Sequence, residues 1–423
     1  MNHIDHPALA PLVRGLCVNA SGQPRVVIPD VAEDIPSQAF TVDISAAWET
    51  GHCDPAAAAK VLREAYAAWE FEMAPAGAEA ASKPEFTKRQ PSCMAVKISD
   101  TIRAVYWIDR DFDAAVNRKN RRDTSLLEDN IPAGIAGICP PEAQADHRSD
   151  VVRNRIALVT GGAQGFGEEI VRALAASGAL VFIADLNLPG AEKLAAQINA
   201  AERRTAAIAA EVNVADENSV EALFKTIAKT AGGLDLCISN AGVLKAGSVL
   251  EQNLGDFQFV TGVNYTGFFL TAKHAGRLLR LQNRTALNWK TDIIQINSKS
   301  GLEGSNKNGA YAGGKFGAIG LTASFAMELV EYNIKVNAVC PGNFLDGPLW
   351  SDKEKGLFVQ YLNTGKVPGA RSVADVRAFY EAKVPMKRGC TGADVMRAIY
   401  YIVEQEYETG QAVPVTGGQV MLH

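Results

Sequence analysis

From residue 153 onward, short apolar runs alternate with amphipathic stretches, and this alternation constrains the fold more than any other feature of the chain. RIALVT (155–160), ALVFIADL (179–186), TAAIAAEVNV (205–214), LDLCISN (234–240), DIIQINS (292–298) and IKVNAVCPG (334–342) read as strands. EEIVRALAASG (168–178), AEKLAAQINAAE (191–202) and SVEALFKTIAKT (219–230) keep helical spacing. Strands separated by helices of this length form βαβ units with a parallel sheet. Their near-continuous apolar character fits a sheet covered on both faces. The expectation is an α/β domain with a doubly wound parallel sheet of six to seven strands.

The preceding segment is less regular. DPAAAAKVLREAYAAWEFEMA (54–74) starts on an aspartate suited to cap a helix and keeps helical spacing through Val61, Ala65 and Trp69. MAVKIS (94–99) and IRAVYWI (102–108) read as a strand pair, and the charged RDFDAAVNRKNRRDTSLLEDN (110–130) as helical. Its basic residues Arg118, Lys119, Arg121 and Arg122 read as a solvated face. Residues 129–150 are rich in Pro, Gly and Ala, which is linker composition. The expected division is a smaller α+β N-terminal domain (1–128), a linker (129–152) and the main domain (153–423).

Composition narrows the function classes. The 423 residues are 47% hydrophobic and 21% charged, as in a globular protein with a real core. A net charge of −5 argues against a nucleic-acid or anionic-membrane partner. No run approaches the length of a membrane span, and MNHIDHPALAPLVRG lacks the apolar core of a signal peptide. The seven cysteines (17, 53, 93, 139, 237, 340, 390) are odd in number and form no C-x-x-C pair. Free thiols in a reducing cytoplasm are expected, without a metal site.

TGGAQGFG (160–167) follows a strand and opens a helix. Gly161, Gly165 and Gly167, with Phe166 among them, permit a tight turn. Backbone N–H groups and the helix N-terminus can then approach a pyrophosphate. Asp185 ends the next strand, 18 residues after Gly167, where a carboxylate accepts from a ribose 2′-hydroxyl and repels a 2′-phosphate. Leu186, Asn187 and Leu188 supply no cation, so NAD is favoured over NADP. Asn213, beside Val214, reads equally as an adenine contact or a turn asparagine. Asn240, Ala241 and Gly242 end another strand and can line the cofactor cleft. A Rossmann-type fold follows.

Tyr311 and Lys315, in AYAGGKFGAIG (310–320), stand four apart and share a helical face. An ammonium near a phenol favours the phenolate, and a tyrosine so tuned can exchange a proton with a hydroxyl. Gly313 and Gly314 leave room against that face. Ser298, at the end of the strand IIQINS, can hold a substrate oxygen beside the phenol. Asn264, in VNYTGFF, reads either as a packing amide at a kink or as the anchor of a proton relay.

Taken together, TGGAQGFG, NAG, Asn264, Ser298, YAGGK and PGN (341–343) resemble the short-chain dehydrogenases/reductases in order and spacing over residues 153–423. The resemblance implies an NAD(P)-dependent oxidoreductase with Tyr311 as general acid/base. It implies that Lys315 binds the nicotinamide ribose, Ser298 positions the carbonyl, Asn264 completes the relay, and Pro341 and Gly342 line the cofactor. It also implies a homo-oligomer, a dimer or tetramer. IIQINSKSG (293–301), VPMKRGC (384–390) and TGGQVM (416–421) are similar to the sorbitol-6-phosphate 2-dehydrogenase branch, which implies interconversion of sorbitol 6-phosphate and fructose 6-phosphate. Lys299, Lys307, Lys387 and Arg388 are cations that could meet a phosphate, each with solvated surface as its default role. The segment 345–383 reads as a substrate-covering insertion with Trp350 as a wall. Longer relatives carry a class II aldolase domain ahead of the dehydrogenase. His3, His6, His52 and His147 include no H-x-H, which argues against an active one. Two alternatives stand beside the sugar phosphate. One is a dehydrogenase of a non-phosphorylated polyol, sugar or small hydroxyaldehyde. The other is a non-catalytic cofactor-sensing or scaffold protein acting through its N-terminal extension.

Overall fold

The computed structural model describes residues 9–21, 25–30, 39–44, 47–49, 52–73, 87–91, 93–97, 103–109, 111–122, 127–130, 147–354, 356–363, 365 and 367–421. The N-terminal part opens with α1 (Ala10–Ser21), β1 (Val26–Asp30), β2 (Phe40–Asp43) and two short strands, β3 (Trp48–Glu49) and β4 (His52–Cys53). α2 (Pro55–Met73) follows Asp54, whose carboxylate accepts from the Ala56 amide at 2.8 Å. β5 (Thr87–Gln90), β6 (Cys93–Lys97), β7 (Arg103–Asp109), α3 (Phe112–Arg121) and β8 (Leu127–Asn130) complete it. β6 and β7 are the expected pair and run antiparallel within a four-stranded sheet of order β1-β7-β6-β2.

Sequence and structure part company in three places here. The helix expected across 110–130 stops at Arg121, because Arg122 turns left-handed (φ 52°) and its amide bonds back to the carbonyls of Arg118 and Lys119. Residues 127–130 are a strand paired with β5. Part of the basic cluster is structural rather than solvated: Arg118 pairs with Asp109, and Lys119 with Asp30 at 3.3 Å. Most of the expected linker lies outside the described residues; a 3-10 turn, His147–Val152, is its described end.

The main domain runs β9 (Ile156–Thr160), α4 (Gly165–Ala176), β10 (Leu180–Asp185), α5 (Leu188–Glu202), β11 (Ala207–Glu211), α6 (Glu217–Ala231) and β12 (Leu236–Ser239). It continues through α7 (Leu254–Thr261), α8 (Gly267–Asn283), β13 (Thr291–Ile296), α9 (Gly309–Leu329) and β14 (Ile334–Pro341). The short helices α10 (Pro348–Ser351), α11 (Leu357–Asn363) and α12 (Val373–Ala382) precede α13 (Gly392–Glu404) and β15 (Ala412–Val415). All seven strands are parallel, in the order β11-β10-β9-β12-β13-β14-β15. Side chains of α6, α8 and α9 bury one face, and those of α4, α5 and α13 the other. The apolar strands are thus buried on both sides. Among the described residues no helix is long and apolar enough to cross a membrane.

The N-terminal part is built into the base of this sheet, at the amino ends of the strands. α1 lies so close to α8 that a Cβ on Gly15 would stand 2.1 Å from the Gln282 carbonyl oxygen. The Thr285 hydroxyl donates to the Leu12 carbonyl at 2.7 Å. Val26 and Ile28 of β1 belong to the core beneath α6 and α8. At the centre of the seam the Arg14 guanidinium donates to both oxygens of Asp235, at 3.0 and 2.6 Å, with both side chains fully buried. The same carboxylate accepts from the Ile156 amide at 2.8 Å and the Trp289 indole at 3.0 Å.

A buried pair is strongly destabilising when one partner is removed, because the other charge is left uncompensated. Arg14→Met should therefore lower unfolding stability by about 3–5 kcal/mol. Adding Asp235→Asn should recover part of that loss. Urea unfolding of the two variants checks this; equal stability of Arg14→Met and wild type would show that the pair contributes nothing.

Candidate active site

The chain turns outward from β9 to β10 and β11, then crosses back to place β12 on the other side of β9. Ligands of open α/β sheets bind at the carboxyl ends of strands where the order reverses. Here that point is pinned by Thr160 and Asn240. The Asn240 amide side chain donates to the carbonyls of Thr160 (3.0 Å) and Gly161 (2.9 Å). The Thr160 hydroxyl accepts from the amides of Asn240 (3.1 Å) and Ala241 (3.2 Å). A cleft of about 1420 Å³ opens above them.

One end of the cleft has the features a dinucleotide needs. Gly161 and Gly165 adopt φ of 62° and 61°, a region closed to most side chains. Gly165 faces open space, whereas a Cβ on Gly167 would lie 2.0 Å from the Gly161 carbonyl oxygen. One glycine admits a ligand and the other lets the helix meet the strand. α4 begins at this turn, and Gln164 offers it no side-chain cap, so its first amides are available to an anion. Asp185 is fixed by the amides of Ala163 (3.0 Å) and Asn187 (2.9 Å) and lines the cleft. Asn213 and Val214 line it too, but the Asn213 side chain accepts from the Ala215 amide at 3.1 Å and so closes its own turn. Phe166 stacks on Phe344 at 4.4 Å, joining the turn to the loop after β14. Pro341 and Gly342 also line the cleft.

Ser298, Tyr311 and Lys315 meet on the same cleft wall. Tyr311 and Lys315 share a face of α9, with the ammonium 5.7 Å from the ring centroid. Lys315 is buried and donates to the Ile296 carbonyl at 2.9 Å. Burial pulls its pKa down to about 8. The sequence argument has the ammonium lowering the tyrosine's pKa; in this structure Tyr311 is raised by burial, and the group opposing that rise is the hydrogen-bonded Ser298 hydroxyl. The lysine's hydrogen bond goes to that backbone carbonyl and not to the phenol. Asn264 stands in a π-helical turn, Gly262–Thr266, between α7 and α8. Its side chain accepts from the Val243 amide and donates to the Val243 carbonyl, both at 2.8 Å. The kink and the amide bonds therefore coexist. A Cβ on Gly242 would come within 3.3 Å of Asn264 Oδ1 and 3.8 Å of Lys315 Nζ, so the NAG glycine keeps that space clear. Gly314 packs against Asn264 rather than opening a gap, and Gly313 is the one with free space.

Two residues escaped the sequence reading. Asn297 accepts from the Ser298 amide at 2.8 Å and donates to the Lys315 carbonyl at 3.0 Å, tying the serine loop to the lysine helix. Thr160 is the hydroxyl of the switch point. Each adjoins a residue that was singled out, Ser298 and Gly161, but its partners come from distant strands and helices.

Lys299 and Lys307 also line the cleft, as does Trp350. Trp350 is buried there against Phe358 (5.2 Å), Tyr361 (5.9 Å) and Tyr380 (4.8 Å), within the small core of α10–α12. Arg388 does not line this cleft. It borders a separate cavity of about 390 Å³ and is bonded to both oxygens of Asp394, the N-terminal capping-box residue of α13.

Arg388 is the main reason the Asp394 pKa falls from 3.8 to about 2. A depressed carboxylate stabilises the fold above its unfolded pKa and loses that contribution as pH falls through the folded value. Arg388→Met should be less stable than wild type at pH 6, with the gap closing between roughly pH 4 and 2. Thermal unfolding across this range checks it; a pH-independent gap would show that the ion pair is not its source.

Comparison with known proteins fits this geometry. Residues 155–355 match the family model for short chain dehydrogenases, which leaves the N-terminal extension outside. The chain is 37% identical over 274 residues to the sorbitol-6-phosphate 2-dehydrogenase of Escherichia coli (strain K12), covering 63% of this chain and 99% of that protein. It is 29% identical to the meso-2,3-butanediol dehydrogenase of Serratia marcescens, over 57% of this chain and 96% of the relative. The crystal structure of the sorbitol-6-phosphate 2-dehydrogenase of Erwinia amylovora aligns with a TM-score of 0.58 at 38% identity, over 63% of this chain and 100% of that one. With a parallel sheet of this order, a glycine turn at its switch point and relatives matched over nearly their whole length, the chain belongs to the short-chain dehydrogenase/reductase family of oxidoreductases.

Proposed function

We propose that the protein is an NAD-dependent sugar-alcohol dehydrogenase whose preferred reaction interconverts sorbitol 6-phosphate and fructose 6-phosphate. The observation that carries this reading is one continuous cleft, with a fixed carboxylate at Asp185 at one end and Ser298, Tyr311 and Lys315 together further along. The sorbitol-6-phosphate relatives supply the substrate class.

Bound NAD would supply the acceptor for the hydride of the carbinol carbon. Gly161, Gly165, Phe166, Gly167 and the start of α4 would hold its diphosphate, and Asp185 the adenosine ribose. The absence of a cation at Leu186–Leu188 favours NAD over NADP. Asn213 and Val214 would border the adenine. Asn240–Gly242, Pro341, Gly342, Tyr311 and Lys315 would line the nicotinamide half. Ser298 would orient the substrate oxygen, and the Tyr311 oxygen would take its proton as the carbonyl forms, its own phenolic proton passing on to the relay. Lys315 anchors a ribose hydroxyl and carries positive charge below pH 8, its own pKa being about 8. Asn264 would anchor a water through which the proton passes toward solvent. The N-terminal part (1–128) acts as a structural module joined through the 129–152 linker to the catalytic domain (153–423).

Two accompanying features complete the proposal. Phe257, Phe269, Phe316 and Met327 leave apolar surface exposed on α7, α8 and α9, which supports assembly into a homo-oligomer. Cys17, Cys93, Cys237, Cys340 and Cys390 form no disulfide, which fits a reducing cytoplasm.

Purified protein with NAD and a panel of polyols, with and without a 6-phosphate, should form NADH fastest with sorbitol 6-phosphate. Activity confined to plain diols or polyols would replace the substrate while keeping the dehydrogenase; no NADH from any member would reject the reading. Tyr311→Phe should bind NAD as wild type does and turn over at least about 10²-fold more slowly. Turnover near wild type in that variant would remove Tyr311 from the chemistry.

A further inference from the structure

We propose that Lys307 is the residue that receives the anionic end of the substrate and so selects phosphorylated over plain polyols, an assignment that rests on the sugar-phosphate reading above. The cations of the cleft sort themselves by what they already hold. Lys245 is bonded to Asp256 and lies 5.2 Å from the Phe259 ring centroid. Lys299, next to Ser298, is 3.3 Å from Glu303. Lys315 is buried on the Ile296 carbonyl. No arginine lines the cleft, and Arg388 is occupied by Asp394 at a different cavity. Among the described residues Lys307 forms no ion pair, although it lines the same cleft and is exposed to it.

Position strengthens the assignment. The oxidised carbon of a hexitol 6-phosphate sits near one end of its carbon chain and the phosphate at the other. A phosphate-binding cation must therefore stand off from the reacting oxygen, which excludes groups at the serine and tyrosine themselves. Lys307 lies four residues before Tyr311, on the lead-in to α9. Its backbone is held there: φ is 55°, and its carbonyl accepts from the Gly247 amide at 2.9 Å. The long side chain thus extends from a fixed point. It also stands just before the N-terminus of a 21-residue helix, whose dipole adds positive potential for an anion. Trp350, Tyr361 and Tyr380 line the same cleft and would offer aromatic surface to the carbon chain.

The test compares kcat/KM for sorbitol 6-phosphate and for sorbitol in full-length wild type, Lys307→Met, Lys307→Glu and Arg388→Met, with inorganic phosphate as a competitor. Lys307→Met should lower the ratio of the two kcat/KM values by about 10- to 100-fold, as expected for a lost charge-assisted contact. Lys307→Glu should lower it further, phosphate inhibition should weaken in both, and Arg388→Met should leave the ratio as in wild type. Thermal melts and NAD binding of each variant identify any that fail to fold, and the two Lys307 substitutions guard against a single misfolded protein. If wild type prefers the phosphorylated substrate and both Lys307 variants keep that preference, the assignment is overturned while the sugar-phosphate reading stands. If wild type itself gains nothing from the 6-phosphate and is not inhibited by phosphate, the reading and the assignment fail together.

Discussion

The reversal of strand order between β9 and β12 is the constraint on which the rest of the molecule depends. A parallel sheet that winds outward in both directions must leave a crevice where the two halves part, because the connecting loops diverge there. In this chain the ladder between β9 and β12 ends at Val159 and Ile238, and a side-chain tie joins the strand ends beyond it. Asn240 and Thr160 supply it with two donor and two acceptor bonds across the gap. The glycine turn, Gly242 and the α4 amides are all placed by that tie.

The reacting end is organised by a second set of short polar contacts made in a largely apolar surround. Lys315 is desolvated, so its ammonium needs a close acceptor, and the Ile296 carbonyl at the end of β13 is one. Asn297 links the next residue of that strand end to α9 through the Lys315 carbonyl. The serine and the lysine are thereby held on one scaffold, although one comes from a loop and the other from a helix. In the proposed reaction this scaffold would keep the groups in a fixed geometry. The π-helical turn at Asn264 serves the same end: the added backbone carries the amide to Val243, in the loop following β12.

The opposite end of the sheet carries charge for a different purpose. Arg14 and Asp235 are buried in the seam between the N-terminal part and the main domain, and Lys335 lies 3.0 Å from Asp292 at the base of the neighbouring strands. For such buried pairs desolvation offsets much of the attraction, so the cost of breaking one exceeds its net contribution to stability. The close glycine contact between α1 and α8 and the entry of β1 into the main core make the seam part of the interior. The extension therefore touches the enzyme where strands begin, far from where they end in chemistry.

Much of this was legible in the chain alone. Six strands, the glycine turn, Asp185 and the grouping of Ser298, Tyr311 and Lys315 follow from local periodicity and spacing, because a strand end or a helical face is set by residues near in sequence. The early helix α1, the end of α3 at Arg122 and the last strand β15 were missed. Each depends on partners far away or on a single backbone angle. The order of the tyrosine's influences also lay beyond the sequence, since burial raises its pKa, the Ser298 hydroxyl opposes that rise, and Lys315 bonds a backbone carbonyl. So did the sorting of the cations, because free and occupied lysines look alike until Glu303, Asp256 and Asp394 are placed beside them. The sequence by itself determined the family, the glycine turn and the residues proposed to react, all written in short-range pattern. Only the tertiary structure decided which charges are spent on the fold and which remain for a ligand, because that depends on distances between residues remote along the chain.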